Sequence, residues 1–150
     1  MSKILVLNGP NLNLLGEREP DIYGHTTLLQ IEERCKIVGK RLGLDVDFRQ
    51  SNHEGQLVDW IHEARKTVAG IVFNPAAFSF TSMAILDALK ASQLPIIEVH
   101  ITNIHRREPM YHKSYVSLAA TGVICGLGPF GYEAAVSFLA EHLEVQRPSM

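Results

Sequence analysis

A chain of 150 residues, 46% hydrophobic and 20% charged, has the length of one domain with one buried core. Its formal net charge of -2 provides no basic surface for nucleic acid or an acidic membrane. No apolar run approaches the roughly 20 residues of a membrane span, nothing at the N-terminus reads as a signal peptide, and a cytoplasmic protein is expected.

In chain order, Lys3 to Leu7 (KILVL) is a continuous apolar run, as suits a parallel strand covered on both faces. Asn8 to Tyr23 (NGPNLNLLGEREPDIY) follows as a long polar loop. Long ordered loops tend to be lids or binding loops. The amides of Asn8, Asn11 and Asn13 cluster just past the strand, Arg18 follows, and the phenol of Tyr23 closes the loop. Thr26 is expected to cap a helix whose apolar stripe is Leu28, Ile31, Cys35, Val38 and Leu42, with Gly43 as its stop. Leu44 to Arg49 alternates as a strand, and Ser51-Asn52-His53-Glu54 has the form of a capping box before a helix burying Leu57, Trp60, Ile61 and Ala64. Ala69 to Phe73 is a third strand, ended by Asn74-Pro75. Thr81 or Ser82 caps a helix carrying Ile85, Leu86 and Leu89. Pro95 to Val99 and Gly122 to Cys125 complete five strands, Tyr132 to Leu143 forms a last amphipathic helix, and Gln146 to Met150 is expected to fray.

Strands alternating with helices predict a single α/β domain over residues 1–150, doubly wound around a parallel sheet. The common five-stranded order is 2-1-3-4-5, with ligands at the carboxyl ends of strands 1 and 3. That order gathers Asn8, Asn11 and Asn74 with Glu98 and His100 into one crevice.

Within this frame Glu98 and His100 are two residues apart on a strand, so they share a face and the carboxylate can orient the imidazole. A phenol such as Tyr23 acts as a base only if charge on its oxygen is stabilised by about 4 kcal/mol, at ~1.4 kcal/mol for each unit from about 10 down to neutrality. One guanidinium ~4 Å away supplies about that much at an effective dielectric of 20, and Arg18 is the nearest in sequence. Gly126-Leu-Gly-Pro-Phe-Gly131 matches GxGxxG. It stands in the last βα unit, with no later strand to bind a ribose, and reads as a tight turn with close helix packing. Cys35 and Cys125 form no metal-like spacing and read as small core residues; no HExxH is present, and no metal or cofactor is expected.

Four blocks taken together, NGPNLNLLGEREPDIYG, RQSNHEGQLVDWIHEA, IEVHITN and TGVICGLGPFGY, resemble the type II 3-dehydroquinate dehydratases of the shikimate and quinate pathways. The resemblance covers nearly the whole chain. It implies a flavodoxin-like fold, a trimer-based dodecamer, no metal or cofactor, and anti elimination of water from 3-dehydroquinate through an enolate. Carried over, Tyr23 is the tyrosinate base and Arg18 its lid cation. Asn11 positions the water on the enolate, His100 paired with Glu98 acts at the departing C1 hydroxyl, and Asn74 binds that hydroxyl. Ile101 and Thr102 hold the carboxylate, Arg107 is a further site arginine, and Asp87 reaches towards a neighbouring subunit's site. The chain departs from the pattern where a histidine is usual at Phe80, a glycine at Ala76 and an arginine at Tyr111. The missing histidine and arginine recognise the distal ring hydroxyls. Two alternatives therefore stand beside 3-dehydroquinate: a related cyclic hydroxy acid with altered distal hydroxyls, or a non-catalytic paralogue.

Overall fold

The computed structural model describes residues 1–145, so the expectation for Gln146 to Met150 lies outside the described residues. Five parallel strands, β1 (Ser2–Asn8), β2 (Leu44–Gln50), β3 (Gly70–Asn74), β4 (Ile96–His100) and β5 (Gly122–Cys125), form one sheet in the order β2-β1-β3-β4-β5. The expected doubly wound order is the observed one. Side-chain alternation along β1 sorts the core into two layers. Ile4 and Val6 face one layer, where Ile31, Cys35 and Val38 of α2 (Leu28–Arg41) meet Tyr132, Val136 and Leu139 of α5 (Phe130–Val145). Leu5 and Leu7 face the other, where Leu57 and Ile61 of α3 (Glu54–Thr67) meet Ile85 and Leu89 of α4 (Met83–Ser92). Among the described residues no helix is long and apolar enough to cross a membrane.

Several boundaries differ from the sequence reading, each for a local reason. The segment after β1 is not loop throughout. A 3-10 turn forms at Leu12–Leu14, and one helical turn, α1 (Pro20–Tyr23), opens on Pro20, whose missing N–H costs nothing at a first helical position. Tyr23 thus ends a helical turn rather than closing a loop. Thr27, not Thr26, caps α2, because only from there does a capping box with Gln30 close in both directions. The Ser51 to Glu54 box does not form. Ser51 is buried, its hydroxyl accepts from the His53 amide at 2.9 Å, and His53 becomes the cap residue without a side-chain cap bond. Ser82 caps α4 by accepting from Ile85 at 2.9 Å. Helix α5 starts two residues before the expected Tyr132, at Phe130. Leu42 ends α2 and is 41% exposed, so it leaves the buried stripe.

The glycine-rich stretch 126–131 is a turn and a packing device. Gly126 (φ +88°) passes under Asn103, where an added Cβ would lie 3.0 Å from the Asn103 Cβ. Gly131 lets α5 close onto β4 and β5, with Ile124 and Val99 at 3.3 and 3.4 Å from such a Cβ. At the mouth of the sheet, Gly9 has an even closer neighbour: a Cβ there would sit 2.2 Å from the Pro75 carbonyl oxygen. The loop after β1 and the loop after β3 are thereby pressed together, and Gly9 N donates to the Asn74 carbonyl at 2.8 Å. This contact brings the two loops to one crevice.

Candidate active site

A cavity of about 110 Å³ opens at the carboxyl ends of β1, β3 and β4. Asn11, Arg18 and Tyr23 line it from the segment after β1; Asn74, Ala76 and Phe80 from β3 and the turn beyond it; and His100, Thr102, Arg107 and Tyr111 from β4 and its following loop. The topological switch point therefore collects residues from three separate loops, as the strand order requires.

The phenol of Tyr23 is half-buried and surrounded by cations. Arg107 Nη1 donates to its oxygen at 3.1 Å. Arg18 stands over the ring face, with its guanidinium carbon 5.4 Å from the centroid. This corrects the sequence reading in one respect: the cation on the phenol oxygen is Arg107, 84 residues away in sequence, while the nearer Arg18 is exposed and lies 3.9 Å from Glu19. Sequence proximity cannot rank two arginines that different loops deliver.

His100 and Glu98 are both buried at the end of β4 and pair through Nε2, leaving Nδ1 as the other ring nitrogen. Glu98 is fully enclosed behind His100 and does not itself line the cavity. Burial alone would raise its carboxyl. The hydrogen bond and charge of His100, with a bond from Ser117, outweigh burial and hold it below the usual carboxylate value of 4.5. Ser117 Oγ donates at 2.6 Å.

Asn74 is held from behind by a residue to which the sequence reading gave no part in the site. Its Nδ2 donates to the hydroxyl of Tyr132 at 2.9 Å, and that hydroxyl donates to Asn8 Oδ1 at 2.7 Å. Asn74 Oδ1 accepts from Ala76 N at 3.1 Å. Asn8 thus lies beneath the site, with its own Nδ2 donating to the Arg49 carbonyl at 3.0 Å. In the sequence Tyr132 was legible as the end of the GLGPFGY block and the start of the last helix, not as a support of the site. Its role needs α5 packed across β1 and β3. Burial pushes its phenol well above the ordinary value, so it remains a neutral donor. The two tyrosines have opposite surroundings, apolar for Tyr132 and cationic for Tyr23. Tyr132→Phe is expected to leave Asn8 and Asn74 each short of one buried partner. It should cost about 1–3 kcal/mol per orphaned group in chemical denaturation.

Asn11 reaches the cavity in the left-handed region (φ 69°), and its amide N donates to Asn52 Oδ1 at 3.0 Å. Asn52 is a second supporting residue that the sequence did not reveal. Ala76 also adopts positive φ (52°), at the position where the resemblance expects glycine. A Cβ in this region costs roughly 1–2 kcal/mol. Phe80 stacks on His100 (centroids 6.2 Å apart) and meets Tyr111 edge-on at 5.3 Å. Ile101 and Thr102 line the cavity at the end of β4. Asp87 is exposed on α4 and does not line it. Asn13 is exposed as well, so the three amides of the first loop take three different places. Of the cysteines, Cys35 is a core residue whose thiol burial pushes up to about 12, while Cys125 is only half-buried on the last strand. Among the described residues no three His, Cys, Asp or Glu side chains converge to hold a metal ion.

A doubly wound domain with a phenol, two guanidinium groups and a carboxylate-backed imidazole around one small crevice defines a class: a compact α/β enzyme for acid–base chemistry on a small molecule. Comparison with known proteins narrows this. The sequence model described as Dehydroquinase class II matches residues 2–140. A 3-dehydroquinate dehydratase 2 from Pseudomonas putida is 59% identical over 141 residues, 94% of this chain and 95% of its own. A 3-dehydroquinate dehydratase from Streptomyces avermitilis is 59% identical over 145 residues, covering 96% and 91%. The crystal structure of a type II dehydroquinase from Propionibacterium acnes superposes with a TM-score of 0.91 at 50% identity, over 94% of this chain and 97% of that one. The chain belongs to the class II dehydroquinase family.

Proposed function

We propose that this protein dehydrates 3-dehydroquinate to 3-dehydroshikimate by anti elimination through an enolate. The observation that carries the reading is the Arg107 guanidinium on the Tyr23 oxygen, in a cavity that His100 and Asn74 also line. Tyr23, as phenolate, takes the proton at C2. The electron pair left on C2 is delocalised onto the neighbouring carbonyl oxygen, where a water held by Asn11 stabilises the enolate. As the enolate collapses, the C1 hydroxyl leaves as water, protonated by His100 with Glu98 behind it, and Asn74 holds that hydroxyl. Ile101 and Thr102 grip the carboxylate, Arg18 closes over the ring of Tyr23, and Asp87 serves a neighbouring subunit's site. General acid–base groups of this kind contribute typically ~10²–10⁴-fold each, and a charge stabiliser placed beforehand adds to that. A trimer-based dodecamer, on family resemblance alone, completes the reading.

A second reading has one observation in its favour. Where the resemblance expects a histidine and an arginine for the distal hydroxyls, Phe80 and Tyr111 form an edge-on aromatic pair. A substrate lacking one of those hydroxyls would lose less here than 3-dehydroquinate does, because each buried hydroxyl without a partner costs about 1–3 kcal/mol. The test is an ultraviolet assay of enone formation with 3-dehydroquinate, run beside a ring analogue lacking a distal hydroxyl and beside the Phe80→His/Tyr111→Arg double variant. Turnover of 3-dehydroquinate by the unmodified chain supports the first reading. Turnover of the analogue alone, with 3-dehydroquinate accepted only after the double change, supports the second. Substrate binding without turnover in any arm overturns both.

A further inference from the structure

Tyr111 lies where a distal recognition group is expected, yet its ring packs against another side chain of the site. The Arg107 guanidinium carbon sits 4.0 Å from the centroid of the Tyr111 ring. From that seat the same guanidinium extends Nη1 to the Tyr23 oxygen at 3.1 Å. The local chain builds this arrangement. Two 3-10 turns, Ile104–Arg106 and Pro109–Tyr111, flank Arg107, and Pro109 starts the second with its φ already set. The Tyr111 amide donates to Glu108 at 2.9 Å and closes that turn, so the ring four residues on returns over the arginine. The His112 ring Nε2 donates to the Arg107 carbonyl at 2.6 Å and fixes the backbone end. Phe80 braces the Tyr111 ring edge-on at 5.3 Å.

We propose that Tyr111 is a positioning residue for catalysis: its aromatic face, braced by Phe80, holds the Arg107 guanidinium on the Tyr23 oxygen. An arginine side chain left to itself samples many rotamers, and only some of them reach the phenol. A ring face beneath the guanidinium removes much of that freedom and leaves the N–H edge free to donate. Arg18 does not substitute for it, since its side chain is 45% exposed and shares its charge with Glu19. The aromatic corner is therefore more than a lost recognition site. It stiffens the charge partner of the base, and this inference rests on the reading of Tyr23 as that base.

The test uses the full chain labelled with ¹⁵N-arginine, the Arg107 side-chain signal being assigned by its loss in Arg107→Lys. With Tyr111 in place, the guanidinium signal is expected upfield, shielded by the ring, and protected from solvent exchange. Tyr111→Leu should return it to the ordinary arginine position and lower kcat about three- to thirtyfold, the range of a cation–π contact, with KM changed less than about threefold. Tyr111→Phe keeps the ring and should retain the upfield signal, which separates the face from the hydroxyl. Phe80→Leu should move the signal part of the way, and it serves in place of the leucine variant if that chain does not fold. An unmoved signal in Tyr111→Leu, or in Phe80→Leu when it stands in, overturns the proposal. So does loss of the signal in Tyr111→Phe, or an effect confined to KM. If the unmodified chain does not dehydrate 3-dehydroquinate, the Tyr23 reading falls by itself, while the ¹⁵N signals still decide where Arg107 is held.

Discussion

Tyr23→Phe is expected to lower kcat for 3-dehydroquinate by about 10²–10⁴-fold, the usual contribution of a positioned general base. The substitution removes one oxygen from a half-buried ring and leaves the ring between Arg18 and Arg107. What is lost in folding is one hydrogen bond to a guanidinium, about 1.5–3 kcal/mol at most and less where water replaces it. The variant should therefore remain folded, with KM within a few-fold of the parent, because the rest of the cavity lining is untouched. The checks are steady-state kinetics, a thermal melt and the oligomeric state by size exclusion. A folded Tyr23→Phe that keeps its turnover would remove the base assignment. Arg107→Ala should follow the same pattern, since it takes away the N–H that meets the phenol oxygen.

The second large effect belongs to the buried His100–Glu98 pair at the end of β4. His100→Ala should abolish the proton supply at C1, again about 10²–10⁴-fold in kcat. It should also destabilise the fold by as much as about 3–5 kcal/mol at neutral pH, because it leaves a buried carboxylate without its buried hydrogen-bond partner. The pH dependence has a definite sign. In the parent, the Glu98 carboxyl is held below its unfolded value of 4.5, so its contribution is fully present above 4.5 and is lost as pH falls through the lower folded value. In the variant the lowering influence of His100 is gone and burial dominates, so Glu98 gains a proton more readily on folding than when unfolded. The stability gap between the two proteins should be widest near neutrality and narrow as the solution is acidified. Urea titrations from pH 7 down to pH 4 measure it. A gap independent of pH would mean that Glu98 is not the group responsible. Glu98→Gln combined with His100→Ala should recover part of the stability at neutral pH and none of the activity.

How legible these residues were depended on the range of the interactions that place them. Elements and strand order follow from local patterns. Apolar runs such as KILVL, helical spacing such as Ile31-Cys35-Val38, and strict alternation of strand and helix leave one common solution for five parallel strands. The crevice between the ends of β1 and β3 follows from that order, and with it the meeting of Asn11, Asn74 and His100. Glu98 and His100 were readable for the same reason, since two residues along one strand share a face whatever the rest of the molecule does. Turn-level details were read less well. Thr26 was read as the cap of α2, whereas Thr27 is the one that closes a box with Gln30. The Ser51 box was lost because Ser51 is buried at the sheet end, its amide donating to the Asn8 carbonyl at 3.0 Å.

Sequence alone therefore determined the fold class, the family resemblance and the inventory of chemical groups, because each depends on periodicity or on contiguous motifs. Tertiary structure decided which groups touch. It put Arg107 rather than Arg18 on the Tyr23 oxygen, Tyr132 beneath Asn74, Asn52 behind Asn11 and the Tyr111 ring under Arg107. Three of these contacts join residues separated by 41 to 84 positions. The fourth spans only four, yet it depends on a turn that Pro109 starts and Phe80 braces from another strand's loop. Long-range partners are set by how the layers pack and how the loops meet, and no spacing along the chain encodes that directly.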